Sequence, residues 1–333
     1  MSPIISATGV GKTFRQLKRQ SGFGGALKSL FSRDYTDIRA VDGISFAINA
    51  GEAVGYLGPN GAGKSTMIKM MTGILTPSAG TLSVLGREPH AHRMTNAAEI
   101  GVVFGQRSQL WWDLPVRDSF DLNRHIYDIP PARFADNLRY LTAMLDMASY
   151  LDRPVRQLSL GQRMRAEIAM ALLHDPKILF LDEPTIGLDV VAKDAVRKFL
   201  AEINRERGTT IILTTHDLVD IEEICPRLIM VDDGKLLFDG ELNRLRASLG
   251  SRRRLTLEFA TDPGPIALTT ATLTADEGAA KHFVLDDETV SLLDVLGELG
   301  RGHGLKDVKL EEPDIEEVIR TFYLNKPNLA SAP

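Results

Sequence analysis

Short runs of consecutive apolar residues alternate along the chain with longer stretches in which apolar residues recur at helical spacing. The runs Ala53–Leu57, Ile178–Leu181 and Ile211–Leu213 have the length of buried strands. Residues 133–150 and 163–173 have the period of amphipathic helices. Buried strands separated by helices are typical of a sheet that helices cover on its faces. The pattern therefore predicts an α/β core that carries a helical insertion.

The pattern changes after residue 250, where a polar and basic stretch begins. Residues 255–259 alternate between apolar and polar, as in a half-buried strand, and residues 290–299 and 314–323 have amphipathic helical spacing. We therefore predict a first domain over residues 1–250 and a small C-terminal α+β accessory domain over residues 251–333. This accessory domain is expected to support a dimer.

Composition and charge narrow the possible functions. The 333 residues include 39 Lys and Arg against 44 Asp and Glu, a net charge of −5, so we expect no nucleic-acid partner. Cys225 is the single cysteine, which excludes an intrachain disulfide and a cysteine-based zinc site. No apolar run approaches the roughly 20 residues of a spanning helix, and the first residues lack a signal-peptide pattern. Action at a membrane is therefore expected to need a partner.

The first chemical motif is a glycine-rich loop of the pattern G-x-x-x-x-G-K-[ST], between a predicted strand and a predicted helix. Its residues are Gly58, Pro59, Asn60, Gly61, Ala62, Gly63, Lys64 and Ser65. Glycines let backbone N–H groups turn toward phosphate oxygens, and the helix N-terminus adds partial positive charge. Lys64 would reach the β- and γ-phosphates, and the Ser65 hydroxyl would hold Mg²⁺. The loop predicts a site for a nucleoside triphosphate.

The second motif is the apolar strand at residues 178–181, which ends in Asp182 and Glu183. Asp182 is expected to take a Mg²⁺ ligand position, through water, and Glu183 to polarise a lytic water beside the γ-phosphate. Acids that follow a strand also commonly cap the next helix or face solvent. The assignment therefore depends on the glycine-rich loop in the same chain.

A third motif, Leu158-Ser159-Leu160-Gly161-Gln162, precedes Asp182 and opens a helical run. Together with Gln106, the segment Gly187-Leu188-Asp189 and His216, it resembles the ATP-binding subunit of an ABC transporter. The motif order matches that family over about residues 1–245. The resemblance implies a P-loop NTPase (RecA-like) core with an antiparallel β subdomain and a helical signature subdomain at about residues 107–170. It also implies ATPase activity with ATP and Mg²⁺.

The resemblance assigns catalytic roles to three residues. Glu183 matches the catalytic glutamate, and His216 resembles the switch histidine near the γ-phosphate. Gln106 resembles the glutamine that senses Mg²⁺ and the attacking water and that links to the membrane partner. The implied metal ligands are Ser65, Gln106 and Asp182.

The signature motif implies contacts across a dimer. Ser159 and Gly161 would contact the γ-phosphate held by the opposite protomer, and Leu160 stands where the family commonly has glycine. We expect ATPase activity despite the leucine at this position, because Ser159 and Gly161, which would make the contacts, are both present. The residues expected at the nucleotide are Phe14, Gly58, Pro59, Asn60, Gly61, Ala62, Gly63, Lys64, Ser65, Thr66, Ser159, Gly161, Gln162 and Asp189.

The implied partners are a second nucleotide-binding subunit and membrane permease subunits on separate chains. One chain carries one of each motif, so it must pair with a copy of itself or with a related subunit. A homodimer is favoured, and the resemblance places it peripherally at the cytoplasmic face of the membrane. ATP would stabilise the closed pair, and hydrolysis would reopen it.

An insertion interrupts the first strand region. Phe14 ends the segment Val10–Phe14, where the family stacks adenine on an aromatic side chain, and Tyr35 is its rival. Residues 15–39 are basic and have helical spacing near residues 26–31, which predicts an amphipathic helix. It could lie against lipid headgroups or a permease, or it could be a solvated surface insertion.

The run Leu110-Trp111-Trp112-Asp113-Leu114-Pro115 resembles the exporter branch that includes daunorubicin- and viologen-type efflux ATPases. The two tryptophans could anchor a permease or pack inside the helical subdomain. A polysaccharide or lipid exporter ATPase, a soluble ABC-type ATPase and a nucleotide-gated regulatory subunit stay open as alternatives. The intact Glu183 and His216 argue against the last.

Overall fold

The computed structural model describes residues 2–17, 35–105, 108–248, 253–285, 290–300, 304–311 and 315–324. It divides into two compact units, Met1–Gly240 and Glu241–Pro333. The division lies ahead of residue 250, where the sequence pattern changes. None of the helices within these described ranges combines the length and the apolar character that crossing a membrane requires.

Two sheets form the framework of the first unit. Its strands are β1 (Ile5–Leu17), β2 (Tyr35–Ile48), β3 (Ala53–Leu57), β4 (Ala79–Val84), β5 (Ile100–Phe104), β6 (Ile178–Asp182), β7 (Thr210–Thr214), β8 (Arg227–Asp232) and β9 (Lys235–Glu241). The larger sheet has the order β5-β6-β7-β3-β8-β9 and the smaller one β2-β1-β4. These sheets are the predicted α/β core and the antiparallel β subdomain.

Parallel pairing in the larger sheet brings the chemical motifs to one edge. Strands β3 and β7 are buried along their whole length, which explains their uninterrupted apolar sequence. Asp182 at the end of β6 pairs with Thr214 at the end of β7. The loops that follow β3, β6 and β7 therefore emerge side by side, as ligand-binding loops do in open α/β sheets.

The first two strands pair over a longer stretch than the sequence predicted, and this pairing includes both ends of the insertion at residues 15–39. Residues 15–17 and 35–39, predicted as part of a helical insertion, are strand residues that extend β1 and β2. The pairing of Arg15 with Asp37 carries an ion pair of 3.5 Å, which favours this extension. The helix predicted near residues 26–31 lies outside the described residues.

Helices cover the larger sheet and build the helical subdomain. They are α1 (Lys64–Met71), α2 (Arg93–Ala97), α3 (Val116–Ile126), α4 (Pro131–Met144), α5 (Leu160–Leu172), α6 (Val190–Arg207) and α7 (Leu218–Ile224). Pro131 occupies the first turn of α4, where its missing N–H costs nothing. Ser159 caps α5 and forms a capping box with Gln162, which fixes where the signature helix begins.

The second unit is a small α+β domain. Its elements are α8 (Leu242–Ser248), β10 (Arg254–Phe259), β11 (Ala271–Glu277), β12 (Ala280–Leu285), α9 (Leu292–Leu299), β13 (Leu305–Glu311) and α10 (Ile315–Leu324). The antiparallel sheet has the order β11-β12-β10-β13, and its apolar face packs against α9 through Val295 and Leu299. Helix α8 contacts α10, which explains why this unit begins before residue 250.

Candidate active site

The glycine-rich loop follows β3 and has a backbone that only glycine permits. Gly61 and Gly63 have φ of +86° and +95°, in the left-handed region. A Cβ on Gly58 would lie 2.4 Å from the Val231 carbonyl oxygen, and one on Gly63 would lie 2.2 Å from the Ala40 carbonyl oxygen. Helix α1 begins without a side-chain cap, so its first N–H groups are available to an anion. This cradle fits phosphate oxygens.

The Lys64 side chain is folded into the same loop. Its Nζ donates to the carbonyl oxygens of Gly58 at 2.6 Å and Pro59 at 3.1 Å, and the residue is buried. Burial lowers the Lys64 pKa, while the nearby carboxylates of Glu183 and Asp182 oppose that change. The ammonium is therefore positioned between the loop and the two acids.

Ser65 and Asp182 meet at the loop. The Ser65 hydroxyl donates to Asp182 Oδ2 at 3.2 Å, and the Thr214 hydroxyl donates to Asp182 Oδ1 at 2.6 Å. A hydroxyl and a carboxylate beside a phosphate cradle fit Mg²⁺, which takes few protein ligands and completes its shell with phosphates and water. Among the described residues, no group of three or more His, Cys, Asp or Glu side chains could hold a metal ion.

The side chains of Glu183 and His216 are in contact at the end of the sheet. His216 Nε2 lies 2.9 Å from Glu183 Oε1, and the histidine side chain is half exposed while the glutamate is mostly covered. Glu183 has φ of +56°, which is unusual for a residue with a side chain. Its N–H donates to the Thr214 carbonyl oxygen at 2.9 Å. A carboxylate held in this way can accept a proton from an attacking water.

Sequence reasoning missed a buried polar cluster beneath this pair. Its members are Thr185, Arg197, Thr215 and Asp220, each less than a tenth exposed. Thr185 follows Glu183 by two positions, and Thr215 immediately precedes His216. The available signal was Asp220, an acidic residue between the apolar residues Val219 and Ile221, because a polar group that becomes buried needs a partner.

The signature residues lie beside the segment that carries Asp189. The Ser159 hydroxyl accepts from the Gln162 N–H at 3.2 Å, and Asp189 Oδ1 accepts from the Ala192 N–H at 2.8 Å as the cap of α6. A Cβ on Gly161 would lie 3.0 Å from the Ala192 Cβ. Ser159 and Asp189 thus begin two adjacent helices, and both residues are exposed.

Gln106 lies outside the described residues, but the segment that follows it is held firmly. Glu167 on α5 accepts from the Ser108 hydroxyl and, at 3.0 Å, from the Gln109 N–H. Burial raises the Glu167 pKa, and these hydrogen bonds oppose the change. The buried carboxylate therefore joins the loop after position 106 to the signature helix.

Both tryptophans lie on the surface of the helical subdomain. Trp111 and Trp112 are 55% and 53% exposed, so the packed alternative for their side chains is wrong. Arg163, on the signature helix, stands over the Trp112 ring at 5.9 Å from its centroid. Leu114 extends the same exposed apolar run.

Comparison with known proteins decides the family. A family model described as ABC transporter matches residues 41–186. The ABC transporter ATP-binding protein NatA of Bacillus subtilis is 33% identical over 211 residues, which cover 63% of this chain and 85% of that protein. The chain belongs to the ABC transporter ATP-binding proteins. It is therefore an ATPase that binds ATP with Mg²⁺, as the sequence predicted, and its family works with membrane permease components and dimerises.

Other ABC relatives differ in the direction of transport that their names state. Nod factor export ATP-binding protein I of Ralstonia nicotianae is 35% identical over 63% of this chain and 65% of its own length. Methionine import ATP-binding protein MetN 2 of Bacillus licheniformis is 30% identical over 89% of this chain and 83% of its own length. The relatives establish an ABC transporter ATPase without establishing its direction.

Solved structures confirm the fold. The ATP-binding subunit of an ABC transporter matches with a TM-score of 0.62 at 23% identity, over 74% of this chain and 93% of that one. The protein cbiO1 of Clostridium perfringens, described as part of the cbiONQ complex, matches with a TM-score of 0.59 at 25% identity, over 74% and 96%. The P-loop NTPase core with its two subdomains is thereby confirmed.

Proposed function

We propose that this chain is the ATPase subunit of an exporter, that it closes as a head-to-tail homodimer around ATP, and that it drives a permease on separate chains. The dimer proposal rests on two motifs that lie at exposed helix N-termini. Ser159 and Asp189 begin two helices side by side at the surface, where their helix N-termini can meet a phosphate of the partner.

An apolar surface surrounds these two motifs. Leu160, Ile186, Val190 and Val191 are 38%, 46%, 77% and 79% exposed. A Cβ on Gly187 would lie 3.0 Å from Leu160 Cδ2, so the two segments are in close contact. Exposed apolar residues gathered beside a functional motif mark an interaction site, and a second copy of this chain would bury them.

The dimer proposal is tested with Glu183→Gln, which keeps the side-chain shape but cannot accept the proton. Its mass is measured by size-exclusion chromatography with light scattering, with and without Mg²⁺-ATP. An ATP-dependent shift from monomer to dimer is expected. A monomer under both conditions contradicts the homodimer, and a constitutive dimer indicates that another surface, such as residues 241–333, holds the copies together.

The adenine position is proposed at Phe14 rather than Tyr35. Strand β2 passes the glycine-rich loop at Ala40, whose carbonyl oxygen lies against Gly63. Phe14 pairs with Ile38, whereas Tyr35 pairs with Leu17 farther along the hairpin. At about 3.3 Å per strand residue, Ile38 is roughly 7 Å from Ala40 and Tyr35 roughly 17 Å away. Phe14 is partly exposed, as a stacking platform must be.

The permease is proposed to bind the surface formed by Trp111, Trp112 and Leu114. These side chains are exposed, and aromatic residues are common anchors of protein interfaces. The same segment follows position 106 and is tied to the signature helix by Glu167. A permease bound here would therefore be mechanically connected to the ATP site, at the cytoplasmic face of the membrane.

Export is favoured by the resemblance of residues 110–115 to an exporter branch and by relatives whose names state export. A Nod factor export protein of Neorhizobium galegae is 37% identical over 206 residues, which cover 62% of this chain and 59% of that protein. The test introduces Glu183→Gln into the chromosomal copy in the source organism and measures accumulation of a panel of fluorescent cationic drugs. Higher accumulation and drug sensitivity are expected. Reduced uptake of a nutrient, such as radiolabelled methionine, would instead support an importer.

A further inference from the structure

The loops that carry Glu183 and His216 are joined beneath the site by one carboxylate. Asp220 Oδ2 accepts from the Thr185 hydroxyl at 2.5 Å and from the Thr215 hydroxyl at 2.9 Å. Thr185 lies in the loop after β6, and Thr215 in the loop after β7. The three side chains are almost completely buried, so the bonds are shielded from water.

Asp220 is itself held in place by an arginine from another helix. Arg197 on α6 donates to Asp220 Oδ1 at 3.2 Å and lies 3.1 Å from Glu223 Oε2. Asp220 is fully buried, and a buried charge is tolerated only when it is paired and hydrogen-bonded. Both carboxylate oxygens are therefore engaged, one by the threonines and one by the guanidinium.

The loop conformation at Glu183 needs such support. Its φ of +56° is unfavourable for a residue with a Cβ, and such residues persist only where their surroundings hold them. On the upstream side, the Asp182 carboxylate is held by Thr214 and Ser65. On the downstream side, the described side-chain hydrogen bond is that of Thr185 to Asp220.

We propose that Asp220 is a positioning residue for ATP hydrolysis. Through Thr185 and Thr215 it fixes the two loops relative to each other, and so keeps Glu183 Oε1 within 2.9 Å of His216 Nε2. Asp220 does not touch the nucleotide itself, because it is buried beneath the loops. Loss of the connection should lower the rate of the chemical step and leave ATP binding at the glycine-rich loop unchanged.

The test removes one connecting hydroxyl at a time. Thr185→Val replaces the hydroxyl by a methyl group of similar size, and we expect kcat to fall by about tenfold with KM for ATP within about twofold. Thr185→Ser keeps a hydroxyl and should restore kcat. Thr215→Val removes the second bond from the other loop and provides an independent variant if Thr185→Val does not fold.

The matched control is Thr210→Val. Thr210 is a buried threonine at the other end of β7, where its hydroxyl accepts from the Gly51 N–H at 2.9 Å. Urea unfolding and ATP affinity are measured for all variants. Thr210→Val should lose comparable stability and keep its kcat, which separates a positioning role from a merely structural one.

A double-mutant cycle examines whether the effect passes through His216. In the His216→Ala background, Thr185→Val should lower the residual ATPase rate by less than about twofold. The reason is that Thr185→Val disturbs the position of Glu183 relative to His216, and that contact is already absent in this background. The proposal is overturned if Thr185→Val keeps the wild-type kcat. It is also overturned if Thr210→Val loses as much kcat, or if the Thr185→Val effect is undiminished without His216.

Discussion

The Ser65 hydroxyl lies 3.2 Å from Asp182 Oδ2 and joins the start of the phosphate-loop helix to the end of a strand far along the chain. Thr214 holds the other carboxylate oxygen at 2.6 Å, so the orientation of Asp182 is set before any ligand binds. A hydroxyl and a carboxylate held in this way fit Mg²⁺, and we propose Ser65 and Asp182 as its ligands at the phosphate cradle.

Asp182→Asn should therefore remove the Mg²⁺ dependence of ATP binding. An amide is a poor ligand for Mg²⁺, so we expect ATPase activity to fall by about 100-fold or more. Calorimetric titration with ATP is compared in Mg²⁺ and in EDTA, with Asp152→Asn as the control, because Asp152 forms an exposed ion pair with Arg117. A variant that still binds ATP more tightly with Mg²⁺ than with EDTA contradicts the assignment.

A charge on the apolar surface beside the signature motif should prevent the dimer from closing. Val191 is 79% exposed, and Val191→Asp would place two like charges in the proposed interface without disturbing the core. In the Glu183→Gln background, we expect a monomer in Mg²⁺-ATP by light scattering. Met94→Asp, at an equally exposed residue in α2, should still dimerise. Dimerisation of the Val191→Asp variant would show that the interface lies elsewhere.

Removal of the exposed tryptophans should separate ATP hydrolysis from transport. In the Trp111→Ala, Trp112→Ala double variant, the isolated chain should keep its ATPase rate, because the rings lie at the surface of the helical subdomain. Drug accumulation in cells should rise to the level of Glu183→Gln. The control is Ile126→Ala, which removes an exposed apolar side chain at the end of α3. Normal efflux by the double variant would exclude this surface as the permease contact.

His174 should make the first unit sensitive to acid. It is buried, stacks on Tyr127 at 4.1 Å, and its Nε2 lies 3.0 Å from the Ile100 carbonyl oxygen. Burial lowers the His174 pKa from 6.5 to about 4, although the hydrogen bond to Ile100 opposes the change. The unfolded chain therefore binds the proton more tightly, and the contribution to stability is complete above about pH 6.5 and is lost as the pH falls toward 4.

The expected loss at pH 5 is about 2 kcal/mol relative to pH 7.5. His174→Gln cannot be protonated and should show a smaller loss over the same interval, whereas His125→Gln, at an exposed histidine, should behave like the wild type. Urea unfolding is followed by tryptophan fluorescence, which reports on the first unit because both tryptophans lie there. Equal pH dependence of wild type and His174→Gln would contradict the prediction.

Local sequence was sufficient to predict the elements whose conformation is set by residues adjacent in the chain. The strand Ala53–Leu57 was predicted with the bounds that the structure shows, and a helix was predicted after the glycine-rich loop, because an apolar run and a glycine-rich turn are local signals. The insertion at residues 15–39 was predicted less well. Its ends are strands because they pair with each other, and residues 35–39 are all exposed, so no face of this strand end is buried and no alternation of apolar and polar residues marks it.

The sequence by itself determined the identity of the chemical groups: the lysine and glycines of the loop, Asp182, Glu183 and His216, in an order that belongs to ABC ATPases. Only the tertiary structure decided how they are held. Parallel pairing of β6 with β7 brings Glu183 and His216 together, and Asp220 connects their loops. Buried hydrogen bonds form between groups that are close in the folded protein. Packing of the whole sheet brings these groups together, and their spacing along the chain does not reveal it.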